Sequence, residues 1–238
     1  MHTGACSCDS RKDPGPSLPR GPLKILLLVC AIVMFGFNAH TTQLAITLLS
    51  ASNLGSGRLP SDWSIKVNSG RPDVSVCNDA DVPCVRLKSV KSSFSIERGI
   101  DVDPAQTPFL AWRWKVAQLP DRGDFRHSAT DDQAAQVLVA FADRRILTYI
   151  WDSNAPKGMA QYASSIPLVH IFAMVCQSGA AEANHWIPEK HNVAADYERA
   201  FGKPAPRVKG VRLQINSQHT GSVAESYFGE VAFQSASQ

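Results

Sequence analysis

Short apolar runs that alternate with polar residues dominate the chain after about residue 60. Runs of four to eight residues with a period of two are typical of β-strands, and intervening Gly, Pro, Asn and Asp are typical of turns. The pattern predicts strands over Trp63–Val67, Cys84–Val90, Phe94–Arg98, Phe109–Val116, Ala134–Phe141, Ile146–Trp151, Leu168–Val175, Val208–Ile215 and Tyr227–Phe233. One helix is predicted over Val193–Phe201, with Asn192 as its N-cap and Gly202 after its end. The sequence therefore predicts an all-β fold, an antiparallel β-sandwich of the jelly-roll type with one short helix.

The alternation also assigns side chains to faces in the strand Phe109–Val116. Leu110, Trp112, Trp114 and Val116 share one side of this strand, and the basic side chains between them share the other. Two tryptophans beside leucine and valine are typical of a core face. The alternative is an aromatic platform on which sugar rings stack.

A separate apolar segment precedes this pattern. Residues 25–37 are apolar apart from Gly36, basic residues come before them, and apolar character resumes weakly up to Ala51. This layout is typical of a secretory signal peptide. As a helix the first run would span only about 20 Å of a hydrocarbon core of about 30 Å, which favours a cleaved signal over a retained membrane anchor.

These boundaries divide the chain into four parts. They are an N-terminal tail (1–24), a signal peptide or membrane anchor (25–51), a linker (52–60) and a β-sandwich domain (61–238). Because the basic residues precede the apolar segment, we expect the domain to lie outside the cytoplasm, in the periplasm, either secreted or anchored.

The charge of the chain argues against one class of partner. Lys and Arg number 24 and Asp and Glu number 21, a formal charge of +3, and the basic residues are not clustered in the domain. A nucleic-acid-binding surface requires a concentrated basic patch. We therefore predict no nucleic-acid partner.

Two cysteines of the domain are placed to form a disulfide. Cys77 and Cys84 flank the turn-rich sequence NDADVP, which lets the chain fold back on itself. An oxidising compartment favours the bond, which at this loop size would contribute about 2–3 kcal/mol. Two free thiols are the alternative. Cys176 lies in an apolar run and is expected to be a buried, unpaired residue.

Five segments together resemble a known family: FLAWRWKV, TDDQAAQVLVAF, LTYIWDSNAPKG, HNVAADYERAFG and HTGSVAESYFGEVAF. They are similar, in the same order, to a family of exported bacterial proteins, number three thousand and forty-seven of the domains of unknown function. The resemblance covers roughly Pro83 to Phe233 and implies an exported β-domain without an assigned activity. Typical members carry the sequence GDDYA, and this chain has TDDQA at the same place, Thr130–Ala134. Typical members then carry a basic residue at the position of Gln136.

A second departure from the family concerns calcium. The family's Asp-rich loop before Thr-Gly is Asn216–His219 in this chain. Calcium binds several oxygen ligands and prefers charged ones, so calcium is only weakly supported here. No cofactor and no metal site is predicted.

Adjacent carboxylates at Asp131 and Asp132 precede a predicted strand. Neighbouring residues of an extended chain point to opposite sides, so only one of them can enter a given pocket. They are interpreted as turn or capping residues, or as contacts to a metal or substrate. A glycosidase would require a second carboxylate about 5–9.5 Å away from another strand, such as Glu225 or Asp152.

A candidate binding surface combines these carboxylates with residues of three consecutive strand segments. Arg113, Asp131, Asp132, Gln136, Tyr149, Trp151 and Asn154 are predicted to converge on one sheet surface and its rim, because successive antiparallel strands are usually neighbours. Aromatic rings and in-plane hydrogen bonds suit a polyhydroxylated ligand. The alternative is that Tyr149 and Trp151 belong to the core.

A candidate metal-binding pattern consists of His185, Glu189 and His191, whose even spacing would place all three on one side of a strand. Two histidines and a carboxylate suit Zn²⁺. Pro188 interrupts the run, however, and this argues against a strand there.

Together these features favour a non-catalytic binding module, with a glycan or a cell-envelope component as its partner, or an envelope-structural domain. The alternative from a different class is a carbohydrate-active hydrolase or lyase that uses Asp131 or Asp132 with a distant carboxylate. An enzyme requires two ionisable groups in one concave pocket, and a binding module does not. No catalytic residue is assigned.

Overall fold

The structure, a computed structural model, describes residues 44–163 and 170–236, and these form two β-sheets that pack face to face. The first sheet contains, in spatial order, β11 (Ile187–Asn192), β6 (Phe109–Gln118), β13 (Val223–Gln234), β4 (Val82–Val90) and β3 (Val74–Asp79), and β1 (Ala45–Leu49) also pairs with β13. The second contains β2 (Ser64–Ser69), β5 (Ser93–Val102), β12 (Val208–Asn216), β7 (Ala135–Phe141), β8 (Arg145–Asp152), β10 (His170–Ser178) and β9 (Ala160–Tyr162). Among these described strands, only β8 and β10 pair in parallel.

The fold class predicted from the sequence is confirmed, and each of the nine predicted strands overlaps an observed one. The predicted helix is α2 (Val193–Phe201). Its N-terminus is capped by the side chain of Asn192, which accepts the backbone N–H of Ala195 at 3.0 Å. Its C-terminus is closed by Gly202 in the left-handed region, at a φ of 69°.

The core lies where the inner faces of the two sheets meet. Trp112 and Trp114 of β6 are buried there, as their alternation with basic residues predicts. Their rings contact the second sheet, since Trp112 lies 5.1 Å from Tyr149 and Trp114 lies 6.0 Å from Trp151, between ring centroids. Tightly packed aromatic side chains account for a large share of core stability.

The sandwich begins earlier in the chain than the predicted boundary at residue 61. Strand β1 pairs with β13, and its Leu48 and Leu49 are fully buried in the core. The short helix α1 (Ala51–Leu54) follows and buries Leu54. Residues 45–51, at the end of the predicted signal peptide or anchor, and the start of the predicted linker therefore belong to the sandwich, because Leu48, Leu49 and Leu54 pack in its core.

The strand β11 was also not predicted. Its Pro188 argues against a central strand, but β11 is the edge strand of the first sheet and pairs on one side only, with β6. Proline has no backbone N–H, and it is tolerated in an edge strand because no neighbouring strand on the solvent side needs a hydrogen bond from it.

The N-terminal tail (1–24) and most of the predicted signal peptide or anchor lie outside the described residues. Export and anchoring therefore remain predictions. Within residues 44–163 and 170–236 there is no helix with the length and apolar character needed to cross a membrane.

Cys77 and Cys84 occupy directly opposite positions of the β3–β4 hairpin. Opposite residues of antiparallel strands have Cα atoms about 4.5–5.5 Å apart, which lies within the range of disulfides. Their sulfur atoms are 3.3 Å apart and not bonded. Burial, reinforced by the neighbouring Cys77, raises the pKa of Cys84 to about 12, which disfavours the thiolate form of this residue.

We expect these two thiols to form a disulfide when the protein is isolated from an oxidising compartment. The measurement is alkylation of the unreduced, denatured full chain, followed by tryptic mass analysis of the peptide spanning 67–86, which contains both cysteines. The bonded peptide would be two hydrogens lighter and carry no alkyl group. Two alkylated cysteines in this peptide would contradict the prediction, and Cys176 serves as the internal control because it should be alkylated.

Candidate ligand-binding groove

The seven residues predicted to form one binding surface do not converge. Arg113 lies on the outer face of the first sheet, where its guanidinium carbon is 5.3 Å from the centre of the Trp186 ring. Tyr149 and Trp151 belong to the second sheet, are fully buried and face the core. The predicted convergence is therefore wrong. Periodicity correctly places Tyr149 and Trp151 on one face, but it does not say which face the other sheet covers.

A groove of about 510 Å³ lies on the outer face of the second sheet. This face is opposite to the core, since Val137 and Val139 of β7 point inward and Gln136 and Leu138 between them line the groove. Side-chain amides are its main polar groups, and we call it the amide groove. The amides belong to Asn68, Gln133, Gln136, Gln214, Asn216 and Gln218.

Three of these amides form a connected row across neighbouring strands. Gln136 donates to the side-chain oxygen of Asn216 at 2.7 Å, and Gln214 donates to the side-chain oxygen of Gln136 at 3.5 Å. Asn216 in turn donates to the backbone carbonyl of Asp131 at 2.8 Å. The row is therefore held in place by its own hydrogen bonds, which orients the remaining donors and acceptors toward the groove.

Two buried polar atoms of the groove have no hydrogen-bond partner in the described part of the chain. They are the hydroxyl of Thr148, a residue only 4% exposed, and the side-chain carbonyl oxygen of Gln218. A buried polar group without a partner costs roughly 1–3 kcal/mol. Both residues line the groove, so a ligand with hydroxyl groups that is seated there could supply the missing partners.

The adjacent carboxylates Asp131 and Asp132 have different environments, as expected for neighbours on an extended chain. Asp131 lines the groove and accepts a hydrogen bond from the Gln133 amide at 2.8 Å. Burial raises the pKa of Asp131, although the Gln133 hydrogen bond and the nearby His219 oppose the shift.

Asp132 is fully buried and holds the loop between β12 and β13. Its carboxylate accepts the backbone N–H of Thr220 at 2.6 Å, the Thr220 hydroxyl at 2.8 Å and the backbone N–H of His219 at 3.3 Å. With its oxygens occupied in this way, Asp132 is a structural residue that supports one end of the groove.

Asn154 also has a structural role, beside the groove. Its amide donates to the backbone carbonyl of Gly123 at 2.9 Å, which ties the turn after β8 to the loop before β7. The fully buried Asp152 supports the same turn, because it accepts the backbone N–H groups of Phe125, Asn154 and Ala155 at 2.7–3.0 Å.

Most of the amide groove was missed from the sequence, although a signal was present. In β12 the polar Arg212, Gln214 and Asn216 alternate with the buried Leu213 and Ile215. This alternation indicates a polar outer face. It does not reveal that β12 lies beside β7, since the two strands are far apart in the chain.

Together, the fold and the groove define a two-layer β-sandwich with a polar groove on the outer face of one sheet. The sequence profile of the family described as "Protein of unknown function (DUF3047)" matches residues 61–232, and the chain belongs to this family. The resemblance seen in the sequence is thus confirmed. No curated protein matches the chain.

Several solved structures have a similar fold at low sequence identity. One is the xyloglucanase domain of NopAA, a type three effector from Sinorhizobium fredii, solved in complex with cellobiose. It is 7% identical to this chain, the match covers 75% of this chain and 96% of that one, and the TM-score is 0.49. The family 11 carbohydrate-binding module of the cellulosomal cellulase Lic26A-Cel5E of Clostridium thermocellum is 7% identical. The match covers 82% of this chain and 97% of that one, with a TM-score of 0.43. Endoglucanase Cel12A from Rhodothermus marinus is 8% identical, and the match covers 82% of this chain and 100% of that one, with a TM-score of 0.45.

Proposed function

We propose that the protein is a non-catalytic binding module that holds an extended, polyhydroxylated ligand, a glycan, in the amide groove. The observation that carries the proposal is the hydrogen-bonded row of Gln214, Gln136 and Asn216 beside the unpartnered hydroxyl of Thr148. Amides and hydroxyls both donate and accept hydrogen bonds, as sugar hydroxyls do. The volume of the groove falls in the usual range for small-molecule sites, about 300–1,000 Å³.

The charges around the groove favour a neutral or weakly charged ligand. Among the described residues that line it, the ionisable side chains are Asp131, Arg212 and His219. Arg212 is already paired with Glu97 at 2.8 Å. A polyanion would require several unpaired cations along its path. A neutral sugar requires hydrogen bonds, which the amides supply.

The carboxylates favour binding over hydrolysis. Glycoside hydrolysis uses two carboxylates about 5–9.5 Å apart on opposite sides of the bond. Asp131 is the one carboxylate among the described groove-lining residues. Asp132 and Asp152 are fully buried and bind backbone N–H groups, so neither is free to act as the second carboxylate.

The position of this module in the cell is also part of the proposal. The basic flank and the apolar run at residues 25–37 support export, which would bring the groove to glycans or other components of the cell envelope.

The first test is a glycan array probed with the full chain, followed by titration calorimetry with the strongest-binding soluble oligosaccharide. We expect Gln214→Ala and Thr148→Val each to weaken binding roughly 2- to 12-fold, the equivalent of one hydrogen bond. The control is Arg113→Ala, which should leave binding unchanged because Arg113 lies on the outer face of the other sheet.

The outcomes distinguish the alternatives. Absence of binding across the array, or a loss of affinity in Arg113→Ala but not in the groove variants, would contradict the proposal. Release of new reducing ends from the bound oligosaccharide, abolished by Asp131→Asn, would identify the protein as a hydrolase instead.

A further inference from the structure

Three potential metal ligands from two strands meet at the open edge between the sheets. Cys176 comes from β10 of the second sheet, and Glu189 and His191 come from the edge strand β11 of the first. One ligand atom of each residue lies within 4.8 Å of the others. This cluster is on the core side of the second sheet, whereas the amide groove is on its outer side, so the two are separate.

We propose that Cys176, Glu189 and His191 bind a zinc ion. In a tetrahedral zinc site with Zn–S near 2.3 Å and Zn–N and Zn–O near 2.1 Å, neighbouring ligand atoms are roughly 3.4–3.6 Å apart. The sulfur of Cys176 is 3.5 Å from Nε2 of His191, and that nitrogen is 3.4 Å from Oε2 of Glu189. Both separations match edges of such a tetrahedron.

The backbone directs these side chains to one point. Cys176 follows Met174 by two residues, and both belong to or pack against the core, so alternation along β10 places the sulfur on the side of β11. The pairing of β10 with β8 shifts register between Val175 and Gln177, and after this bulge the Gln177 side chain also reaches Glu189 of β11. Glu189 and His191 are two residues apart in an extended strand and therefore share the face that looks toward Cys176.

The groups around the ligands are those that support metal sites in proteins. The other imidazole nitrogen of His191, Nδ1, is 3.7 Å from the carboxylate of Asp196, and metal-bound histidines commonly face a carboxylate in this way. Asp196 is itself held by the Tyr149 hydroxyl at 3.0 Å. The free oxygen of Glu189, Oε1, accepts a hydrogen bond from the Gln177 amide at 2.7 Å, which leaves Oε2 for the metal.

Aromatic rings fix the plane of the imidazole. His191 stacks on Trp112, with ring centroids 5.2 Å apart and an angle of 22°, and it also contacts Tyr149. The cluster is open on one side, since the side chains of His191 and Glu189 are 26% and 13% exposed, whereas Cys176 is buried. A fixed ring and an open approach are both required for a site that loads after folding.

The donor set identifies the class of metal. A thiolate and an imidazole favour zinc and related transition metals, whereas calcium and magnesium take oxygen ligands. The charges balance as well, because a thiolate and a carboxylate neutralise a divalent ion. Three protein ligands leave a fourth position for water. Of the pattern weighed in the sequence, Glu189 and His191 are retained, but Cys176 takes the place of the exposed His185.

The test is zinc binding by the full chain with Cys6 and Cys8 replaced by serine, which removes a competing Cys-x-Cys pair. We expect about one zinc per chain by mass spectrometry after gel filtration. Cys176→Ser and His191→Gln should each reduce the affinity more than 100-fold, and Asp196→Asn, which changes a positioning residue, about 10- to 100-fold. Cys77→Ser and His185→Gln are the matched controls and should retain full binding.

Cobalt substitution of the parent protein reports directly on whether a thiolate binds the metal, before any variant is made. Cobalt bound to this site should show a thiolate-to-metal charge-transfer band that is lost in Cys176→Ser and kept in Cys77→Ser. Absence of zinc from the parent protein, zinc binding that persists in both Cys176→Ser and His191→Gln, or a cobalt spectrum without the thiolate band would each overturn the proposal. The cluster would then be a network of internal hydrogen bonds.

Discussion

Replacing Trp151 by alanine is expected to lower the free energy of unfolding by about 3–5 kcal/mol, the usual cost of removing a large aromatic ring from a core. Trp151 is fully buried, and its ring packs 6.0 Å from that of Trp114. Its indole N–H donates to the backbone carbonyl of Gly179 at 3.0 Å, and this carbonyl would lose its partner. For a domain of this size the loss corresponds to a fall of roughly 6–20 °C in Tm. Calorimetry and urea unfolding measure both quantities.

A second tryptophan provides the control for this experiment. Trp186 lies on the outer surface of the first sheet against Arg113, and its N–H donates to Asp79 at 2.9 Å. Because this ring is only half-buried, Trp186→Ala should cost less than half as much as Trp151→Ala. If Trp151→Ala kept the parent Tm but lost glycan binding, the ring would be a ligand platform and its assignment to the core would be wrong.

Replacing Asp132 by asparagine is expected to cost about 2–4 kcal/mol, although the two side chains have nearly the same shape. The carboxylate accepts two donors of Thr220 and the backbone N–H of His219, whereas an amide has only one accepting oxygen. Its NH₂ group would therefore face a donor, the backbone N–H of His219. Hydrogen bonds to a charged group contribute about 1.5–3 kcal/mol each, so the loss of the carboxylate weakens all three contacts.

The neighbouring carboxylate is the matched control. Asp131 accepts one side-chain hydrogen bond, from Gln133, and is partly exposed. Asp131→Asn should therefore change the stability by less than about 1 kcal/mol. Asp132→Asn should also weaken glycan binding, because the loop that it holds carries Gln218 and His219 of the amide groove. Equal losses of stability in the two variants would contradict the different roles assigned to these residues.

Local sequence signals were sufficient for most of the fold. The alternation in Phe109–Val116 placed Trp112 and Trp114 in the core, and the cap residues Asn192 and Gly202 marked both ends of α2. These features depend on neighbours one to four residues away, so the chain encodes them locally. The same signals failed for β1, whose apolar residues continue an apolar run and were assigned to a membrane or signal segment.

The candidate sites were less accessible to the sequence because each joins distant segments. The amide groove brings Gln136 of β7 together with Gln214 and Asn216 of β12, and the proposed zinc site brings Cys176 to His191 across the two sheets. Of the seven residues predicted to bind ligand, Asp131 and Gln136 line the groove, and their role there remains a prediction.

The sequence by itself therefore determined the position of nine strands, where the helix begins and ends, and which side chains of those strands share a face. Only the tertiary structure decided which of the two faces is covered, and this moved Tyr149 and Trp151 into the core and left Gln136 on the outside. The physical reason is that alternation along a strand marks two sides equally. The buried side is selected by the sheet that packs against it, and that sheet is built from residues far away in the chain.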